Sequence, residues 1–357
     1  MNIRLSLPIN LMLILLFIVT SSSYASTKIT LALARSAITP AEETFTYAVP
    51  KQKGYFAEEG LNISILKTNG STAALQAVAS GSADIAYASS MTIAAAIEKG
   101  VPVKAFAGIT VQWPYFIGVT PGSSIKSIAD LKGKRIGVIS LSSASYADLR
   151  ANLKLVGLSE SDVSVIPVGA GARAAAAMRN NQVDAIDSYS DSFTVMKQNG
   201  IELTLLPRPE QMNQLFSVTM ATSNKMLREQ PEVLAAFARS AYRGIIYTYL
   251  HEENALQLAF NEFPELAGSQ NITSKEARNT LEAMKIALAD SMPAGKMPPT
   301  SWGEWMNIDT QRWEALLNFS YETGQISRKM TPGEVWDDSL MKKIYQFNTD
   351  DASLTTP

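Results

Sequence analysis

The chain contains no cysteine in its 357 residues and only one histidine, His251. Without cysteine it has neither a disulfide framework nor the lipidated cysteine that anchors some exported proteins to a membrane. A single histidine without a partner makes neither a metal site nor a proton relay. We therefore expect no metal, no cofactor and no catalytic residue, which argues against an enzyme.

The chain also has little net charge, and its N-terminal apolar run is short. There are 31 Lys and Arg against 33 Asp and Glu, a net charge of −2, so nothing indicates nucleic acid or an anionic membrane as a partner. The apolar run 11–20 is far shorter than the ~20 residues of a membrane-spanning helix. Because it follows Arg4 and precedes the small-x-small site Ser23-Tyr-Ala25, we interpret residues 1–25 as a signal peptide. We expect export to the periplasm without a lipid anchor, and a mature net charge of −3.

The length of the remaining chain, about 330 residues, exceeds the size at which one core stops growing, so two domains are expected. An internal repeat supports this. Residues 73–86 and 173–186 share a plan: a helix of small residues, a polar break, and then an aspartate that enters an apolar strand. We assign these aspartates, Asp84 and Asp184, a structural role at the turn. The repeat predicts two α/β lobes of similar construction.

Strand-length apolar runs alternate with helical segments, which predicts a doubly wound, mostly parallel sheet flanked by helices in each lobe. The strands are expected at 29–34, 62–66, 103–109, 135–139, 163–167 and 185–187, and the helices at 51–59, 146–156 and 173–180. Crossing segments are expected at 113–120 and 216–221. The lobes are then 26–119 with 216–357, whose helices pack on the first lobe, and the inserted 120–215. Two crossing strands predict hinged closure around a small ligand.

Five segments carry a family resemblance. They are Lys53-Gly-Tyr-Phe-Ala-Glu-Glu-Gly-Leu61, Gly70-Ser-Thr72, Gly81-Ser-Ala-Asp-Ile85, Ile128-Ala-Asp-Leu-Lys-Gly-Lys-Arg-Ile-Gly137 and Asn318-Phe-Ser-Tyr-Glu-Thr-Gly324. Together they resemble the periplasmic solute-binding proteins of ABC importers, in the branch of the sulfonate, taurine, nitrate and thiamine-pyrimidine binders. The resemblance implies a type II periplasmic-binding fold. It also implies a monomer that captures a small molecule between two lobes and delivers it to the transmembrane subunits of an ABC permease.

The ligand site is expected at the carboxyl ends of the strands, where open α/β sheets bind ligands. Three loops lie there: 35–37, 69–72 and 140–145. The last two enter helix N-termini, which favour an anionic or strongly polar group. The candidate polar residues are Arg35, Ser36, Ser71, Thr72, Ser89, Ser90, Ser142, Ser143, Ser145, Arg173 and Asp187. Helix capping is the alternative role for the serines, and a solvated charge is the alternative for both arginines.

Aromatic candidates for the walls of the cleft are Phe45, Trp113 and Tyr189. Flat aromatic walls suit an aromatic or heterocyclic ligand, although core packing is an alternative for each, above all for Phe45. The tryptophans of the C-terminal helices are assigned to packing. The expected ligand is a small organic anion or a polar heterocycle, of the sulfonate, nitrate, aromatic acid or pyrimidine class.

Two other functions remain open. The fungal pyrimidine-synthesis enzyme of the same family uses a histidine and a cysteine-rich iron-binding motif, and the absence of cysteine here disfavours that activity. The same fold also serves as a sensing module, which presents its ligand to a membrane receptor. From the sequence alone, such a sensor looks identical to a transport protein.

Overall fold

The computed structural model describes residues 26–267, 271–293, 295 and 297–356, so the expected signal peptide lies outside it. Ten strands are described: β1 Thr27–Leu33, β2 Leu61–Lys67, β3 Ile85–Ser89, β4 Val103–Gly108, β5 Tyr115–Val119, β6 Arg135–Val138, β7 Ser164–Pro167, β8 Ala185–Tyr189, β9 Thr204–Leu205 and β10 Val218–Ser223. The α-helices within these ranges are α1 Val49–Gln52, α2 Tyr55–Glu58, α3 Ser71–Ala79, α4 Ser90–Glu98, α5 Ala144–Leu155, α6 Ala172–Arg179, α7 Ser190–Gln198, α8 Asn224–Glu229, α9 Pro231–Leu250, α10 Glu252–Glu262, α11 Lys275–Ala289, α12 Thr310–Glu322, α13 Pro332–Val335, α14 Met341–Ile344 and α15 Ala352–Thr355.

Two five-stranded sheets organise the chain, with strand orders β2-β1-β3-β10-β4 and β7-β6-β8-β5-β9. In the first, β1 pairs in parallel with β2 and β3, while β10 runs antiparallel to β3 and β4. In the second, β6 pairs in parallel with β7 and β8, while β5 runs antiparallel to β8 and β9. We call each sheet with its flanking helices the first and the second lobe. The predicted α/β class is confirmed. In each sheet four of the five strands run in the same direction, but half of the pairings are antiparallel because one strand, β10 or β5, runs against the others.

The repeated aspartates occupy equivalent positions in the two sheets. The carboxylate of Asp84 accepts the backbone N–H of Thr30 at 2.7 Å, and that of Asp184 accepts the backbone N–H of Arg135 at 2.8 Å. Each acid therefore satisfies a donor on the neighbouring parallel strand. Their structural role is confirmed, although the partner lies on an adjacent strand and not within the turn.

The crossing from the first lobe to the second comes earlier than the sequence-based boundary at residue 119. Strand β5 pairs along its length with β8, with Tyr115 opposite Tyr189 and Val119 opposite Ala185. Its hydrogen bonds place it in the second sheet, so the connection between the lobes is the segment 109–114. An apolar strand pattern does not indicate which sheet the strand joins, because both sheets bury such strands equally well.

The helix expected at 51–59 is divided into α1 and α2 at Gly54, whose φ of +82° is a left-handed conformation that glycine adopts without steric cost. A π-helical turn, Thr44–Ala48, precedes α1. The long helix α9 packs against this turn and against α1, α2 and α14, so most of the C-terminal region covers the first lobe as expected.

Helix α11 departs from that expectation because it packs against α7 of the second lobe as well as against α10. The amide of Gln198 donates to the backbone oxygen of Asn279 at 2.7 Å across this contact. Ala283 and Ala287 of α11 are buried. No helix in the described ranges is long and apolar enough to cross a membrane.

Candidate ligand-binding cleft

Arg35 lies just beyond the carboxyl end of β1, between the two lobes. Its guanidinium is 2.5 Å from a carboxylate oxygen of Glu42 and 3.5 Å from one of Glu43, and it also donates to the hydroxyl of Thr39. The chain leaves β1, turns at 36–41 and enters the π-helical turn, which brings the two acids back toward the arginine. Arg35 is thus an anchored cation, and its side chain is only 14% exposed.

The second lobe faces Arg35 with an aromatic ring and an acid. The guanidinium carbon of Arg35 lies 5.2 Å from the centre of the Tyr189 ring, at the carboxyl end of β8. Asp191 follows in the first turn of α7, is 4% exposed, and has one carboxylate oxygen without a hydrogen-bond partner among the described residues. The cation of one lobe therefore meets an aromatic and acidic surface of the other.

A small, partly open cavity of about 30 Å³ lies at this junction. Both lobes and the end of α11 contribute to its wall, which consists of Arg35, Glu42, Thr110, Pro114, Tyr115, Tyr189, Asp191, Val218, Ala287 and Asp290. Asp290 accepts the hydroxyl of Ser190 at 2.7 Å. The volume holds one water-sized group and no ring, so a larger solute has to separate the lobes to reach these residues.

Burial controls the protonation of the acids around the cavity. It raises the pKa of Glu43 to about 7, although the charge of Arg35 acts against it. It raises the pKa of Asp290 to about 6, against the hydrogen bond from Ser190. The pKa of Asp191 also lies well above its usual range because of burial, again opposed by Arg35. These carboxyl groups therefore retain protons closer to neutrality than exposed acids do.

A second contact between the lobes joins the loops 69–72 and 140–145. The hydroxyl of Ser140 donates to the backbone oxygen of Asn69 at 2.7 Å, and Ser142 donates to the same oxygen. The backbone N–H of Thr72 lies 3.4 Å from the backbone oxygen of Ser142. Gly70 makes this approach possible, because a Cβ there would lie 2.4 Å from that oxygen.

A cluster of polar side chains, formed by Trp113, Asp148, Asn152 and Asp187, lies beside the connection between the lobes. The indole Nε1 of Trp113 donates to Asp148 on α5 at 2.7 Å, and the amide of Asn152 donates to the other oxygen of Asp148 at 2.8 Å. Asp187 on β8 is fully buried, and neither of its carboxylate oxygens has a hydrogen-bond partner among the described residues. Burial raises the pKa of Asp148 to about 6, and burial together with the charge of Asp148 raises that of Asp187 well above its usual range.

A groove of about 610 Å³ lies between α4, α5 and the segment 324–327, beside the contact between the two loops. Thr72, Ser142 and Ser143 line its inner edge, and Arg150 reaches across it to hydrogen bond with Gln325 at 2.6 Å. This volume lies in the range of small-molecule sites. The groove is therefore large enough for a small molecule, and it adjoins the contact between the two loops.

Comparison with known proteins gives the family. Residues 42–255 match the family model described as NMT1/THI5 like, which is more than half of the chain. The chain belongs to the NMT1/THI5-like family. The resemblance inferred from the sequence segments is thereby confirmed.

Relatives of this NMT1/THI5-like protein have names of two kinds. It is 27% identical to the riboflavin-binding protein RibY of Chloroflexus aurantiacus, over 79% of this chain and 77% of that protein. It is 24% identical to the formylaminopyrimidine-binding protein of Halalkalibacterium halodurans, over 76% of this chain and 82% of that protein. It is also 25% identical, over 61% of this chain and 69% of the relative, to the 4-amino-5-hydroxymethyl-2-methylpyrimidine phosphate synthase of Legionella pneumophila. The relatives of this chain thus include proteins named as binders and a protein named as a synthase.

Solved structures establish the fold of this family member. A protein from Bordetella bronchiseptica RB50 superposes with a TM-score of 0.68 at 23% identity, covering 89% of this chain and 96% of that one. The alkanesulfonate-binding protein SsuA from Xanthomonas axonopodis pv. citri superposes with a TM-score of 0.64 at 17% identity, covering 88% and 99%. The fold is that of the type II periplasmic binding proteins. The predicted fold is confirmed.

The structure places the sequence candidates of this NMT1/THI5-like protein in different environments. Arg35 and Tyr189 meet at the cavity, Ser142 joins the two lobes, and Trp113 and Asp187 lie beside the connection between them. Ser143 and Ser145 use their hydroxyls within their own loop, accepting the backbone N–H groups of Ser140 at 3.2 Å and Ile139 at 3.0 Å.

The remaining candidates lie in the first lobe or at the surface. The hydroxyl of Ser71 accepts the backbone N–H of Ser89 at 3.1 Å, and Ser90 donates to the backbone oxygen of Ser217 at 2.6 Å. Phe45 is fully buried in the core of the first lobe, whereas Ser36, Thr72 and Arg173 are exposed. Phe45, Ser36 and Arg173 do not line the cavity.

Four acids near the cavity were not among the sequence candidates: Glu42, Glu43, Asp191 and Asp290. A signal existed for the first two, since an acidic pair seven and eight residues after Arg35 is positioned to fold back on it. Asp191 follows the candidate Tyr189 by two residues. Asp290 had no such signal, because α11 reaches the cavity only through its packing on the second lobe.

Proposed function

We propose that this protein is a periplasmic solute-binding protein of an ABC importer. It captures a small solute between its two lobes and delivers it to the permease subunits, as a monomer and without chemical change to the solute. The observation that carries this proposal is the buried junction at Arg35, where polar groups from both lobes face each other across a small cavity. When a solute binds at this junction, contacts between the polar groups of the two lobes are replaced by contacts with the solute.

The mechanism is a population shift. A solute that bridges both lobes stabilises the closed form by its differential contacts with that form. In the described arrangement, the lobes already meet at Arg35 and Tyr189 and at Asn69 and Ser142. A solute therefore has to replace part of these contacts, and its affinity reflects the difference.

The alternative of an enzyme rests on the relatives named as synthases. The contacts of His251 argue for the binding function: its ring lies 4.8 Å from that of Tyr247, and its Nε2 is 3.0 Å from the backbone oxygen of Leu354. None of these partners lines the cavity. The single histidine is thus used in packing α9 on the C-terminal segment.

Two experiments test the proposal. Solute extracted from protein purified out of the periplasm is identified by mass spectrometry, and the stripped, refolded protein is screened by thermal shift. The panel contains alkanesulfonates, taurine, nitrate, aromatic acids, thiamine pyrimidines and flavins. A ligand at a hundredfold its dissociation constant adds about 2.7 kcal/mol and raises the melting temperature by several degrees.

The proposal also requires that the solute is recovered unchanged after incubation and that cells lacking the protein lose its uptake. A chemically altered solute would favour the enzyme. Unchanged solute with normal uptake would favour the sensing module.

A further inference from the structure

The wall of the junction cavity has more acids than cations. Glu42, Asp191 and Asp290 line it together with one cation, Arg35. Glu43 lies behind Arg35 and is fully buried. The polar surface available to a solute is therefore dominated by hydrogen-bond acceptors.

The cation is already engaged. Arg35 pairs with Glu42 at 2.5 Å and with Glu43 at 3.5 Å, and its face is covered by the ring of Tyr189. An anionic solute would compete with Glu42 and Glu43 for Arg35, and a carboxylate that it displaced would stay buried without its partner. Burying an unpaired charge is strongly unfavourable.

The polar groups of the cavity wall that have unused hydrogen-bonding capacity are carboxyl oxygens. Asp191 is 96% buried, lines the cavity, and has an oxygen with no hydrogen-bond partner in the part of the chain that is described. The carboxyl group of Asp290, on the same wall, accepts one hydrogen bond from Ser190. A carboxylate that accepts a single bond keeps further acceptor capacity. A cationic nitrogen donor bonds to the ionised form of both acids, whereas a sulfonate or a nitrate can only accept from their protonated form and leaves the unpartnered oxygen of Asp191 without a donor.

We propose that the solute presents a positively charged nitrogen donor group, such as a protonated amine or amidine, to Glu42, Asp191 and Asp290. This inference rests on the proposed function and narrows its ligand class, since it selects against the organic anions that the sequence left open. The positive charge of the solute balances the excess negative charge of the ionised acids around the cavity. Arg35 keeps its ion pairs with Glu42 and Glu43, the acids of its own lobe. The charged group is the part of the solute that reaches the cavity.

Proton release accompanies this binding. Burial raises the pKa values of Glu43, Asp191 and Asp290, so the free protein holds protons there near neutrality, and an incoming cation expels them. The titratable and charged groups that face these acids are Arg35, Glu42, Tyr115, Tyr189 and Arg208, together with the acids themselves. Affinity for a cation therefore rises as the pH increases from about 6 to about 8.

The experiment uses probes matched in ring size. Benzamidine and benzylamine are compared with benzoate and benzenesulfonate by isothermal titration calorimetry on the stripped full-length mature protein. We expect the cations to bind at least tenfold more tightly than the anions. Titration in weakly buffered phosphate, followed with a pH electrode, should show net proton release for the cations. Tighter binding of the anions, or proton uptake with the cations, would overturn the inference.

Two variants test whether Asp191 contributes to the binding of the cation. Asp191→Asn keeps the size of the side chain and breaks no hydrogen bond of the unpartnered oxygen, so we expect a folded protein whose affinity for benzamidine falls at least tenfold. Glu202→Gln is the matched control, because this exposed acid forms an ion pair with Lys197 at the surface of the second lobe. The control should bind as the wild type does. Equal affinities in both variants would overturn the assignment.

The outcome separates this inference from the proposed function. Anion binding accompanied by closure in small-angle X-ray scattering would refute the cationic class and leave the carrier intact. Binding of none of the four probes would also refute it. The carrier function is then decided by the solute extracted from the native protein.

Discussion

The guanidinium of Arg35 stacks on the ring of Tyr189 at 5.2 Å, so a cation of the first lobe covers an aromatic side chain of the second. The pair joins the ends of two strands, β1 and β8, that belong to different sheets. Cation–π contacts of this kind contribute about 1 kcal/mol, which is enough to change the ratio of closed to open protein several-fold.

Replacing Tyr189 tests that contribution. Tyr189→Leu should shift the unliganded protein toward the open form by about fivefold, because the leucine offers no π face to Arg35. Tyr189→Phe keeps the ring and serves as the control. Distances between labels on the two lobes, measured by single-molecule fluorescence, report the populations. Identical distributions for the leucine variant and the wild type would contradict this role.

Gly70 is expected to be essential for closure. A Cβ at this position would lie 2.4 Å from the backbone oxygen of Ser142 in the opposite lobe, so Gly70→Ala should hold the lobes apart and weaken solute binding at least tenfold. Gly81→Ala is the matched control. Gly81 also has a positive φ, of +77°, but a Cβ there meets nothing within 4 Å.

Calorimetry with the extracted solute measures the affinities of both glycine variants, and their melting temperatures report the backbone strain that they share. If Gly70→Ala bound as tightly as Gly81→Ala, the contact between the two loops would not belong to the liganded form.

Stability should fall as the pH rises from about 4 to about 7. Burial raises the pKa of Asp148 and Asp290 to about 6 and that of Glu43 to about 7, so over this interval the folded protein binds more protons than the unfolded chain. The stabilisation by these protons is complete below the unfolded pKa and is lost through the folded pKa. For a fully buried group such as Asp148 it is on the order of 3 kcal/mol.

Urea denaturation at a series of pH values checks this dependence. We expect a higher free energy of unfolding at about pH 5 than at about pH 8, and a flatter profile for Asp187→Asn, which removes a buried acid whose pKa is raised by burial and by the charge of Asp148. A free energy of unfolding that rises over the same interval would mean that the buried acids are ionised and paired in the folded protein.

Trp113 is expected to contribute to stability through its indole N–H. Trp113→Phe removes the 2.7 Å hydrogen bond to Asp148 and leaves a buried acceptor without its donor, which should lower the free energy of unfolding by about 1–3 kcal/mol. Asp148→Asn is the comparison variant: its side-chain oxygen still accepts from the indole, while its new NH2 group replaces the oxygen that accepts from Asn152, whose amide has to turn to present its unpartnered oxygen. Chemical denaturation at about pH 5 compares the two variants, and a phenylalanine variant as stable as the wild type would contradict this role.

The local sequence carried most of the information on the fold. The strand at 62–66 was placed within a residue of its observed ends, because its apolar pattern is bounded by Gly60 and by a polar loop. The break at Gly54 was missed, since the sequence around it favours a helix and only the left-handed φ of that glycine ends α1. The assignment of β5 to the second sheet was missed because an apolar strand can be buried in either sheet.

Two of the residues proposed from the sequence as ligand contacts line the junction cavity. Arg35 and Tyr189 follow strand ends, where topology alone places a ligand. Phe45 also follows the first strand, but the π-helical turn directs it into the core. Asp290 comes from a helix 100 residues after Ser190, its hydrogen-bond partner, and no local pattern connects the two.

The sequence by itself determined the class of the fold, the repeat within it and the family, because strand and helix periodicity, glycine positions and local motifs are properties of neighbouring residues. Only the tertiary structure decided the chemistry of the cleft. The serine-containing loops and helix N-termini indicated an anion or a strongly polar group, whereas folding brings four acids from three separate segments around one arginine. Burial then removes the water that would have made each of these acids an ordinary surface charge, so their proximity and their pKa values depend on contacts that the linear chain does not contain.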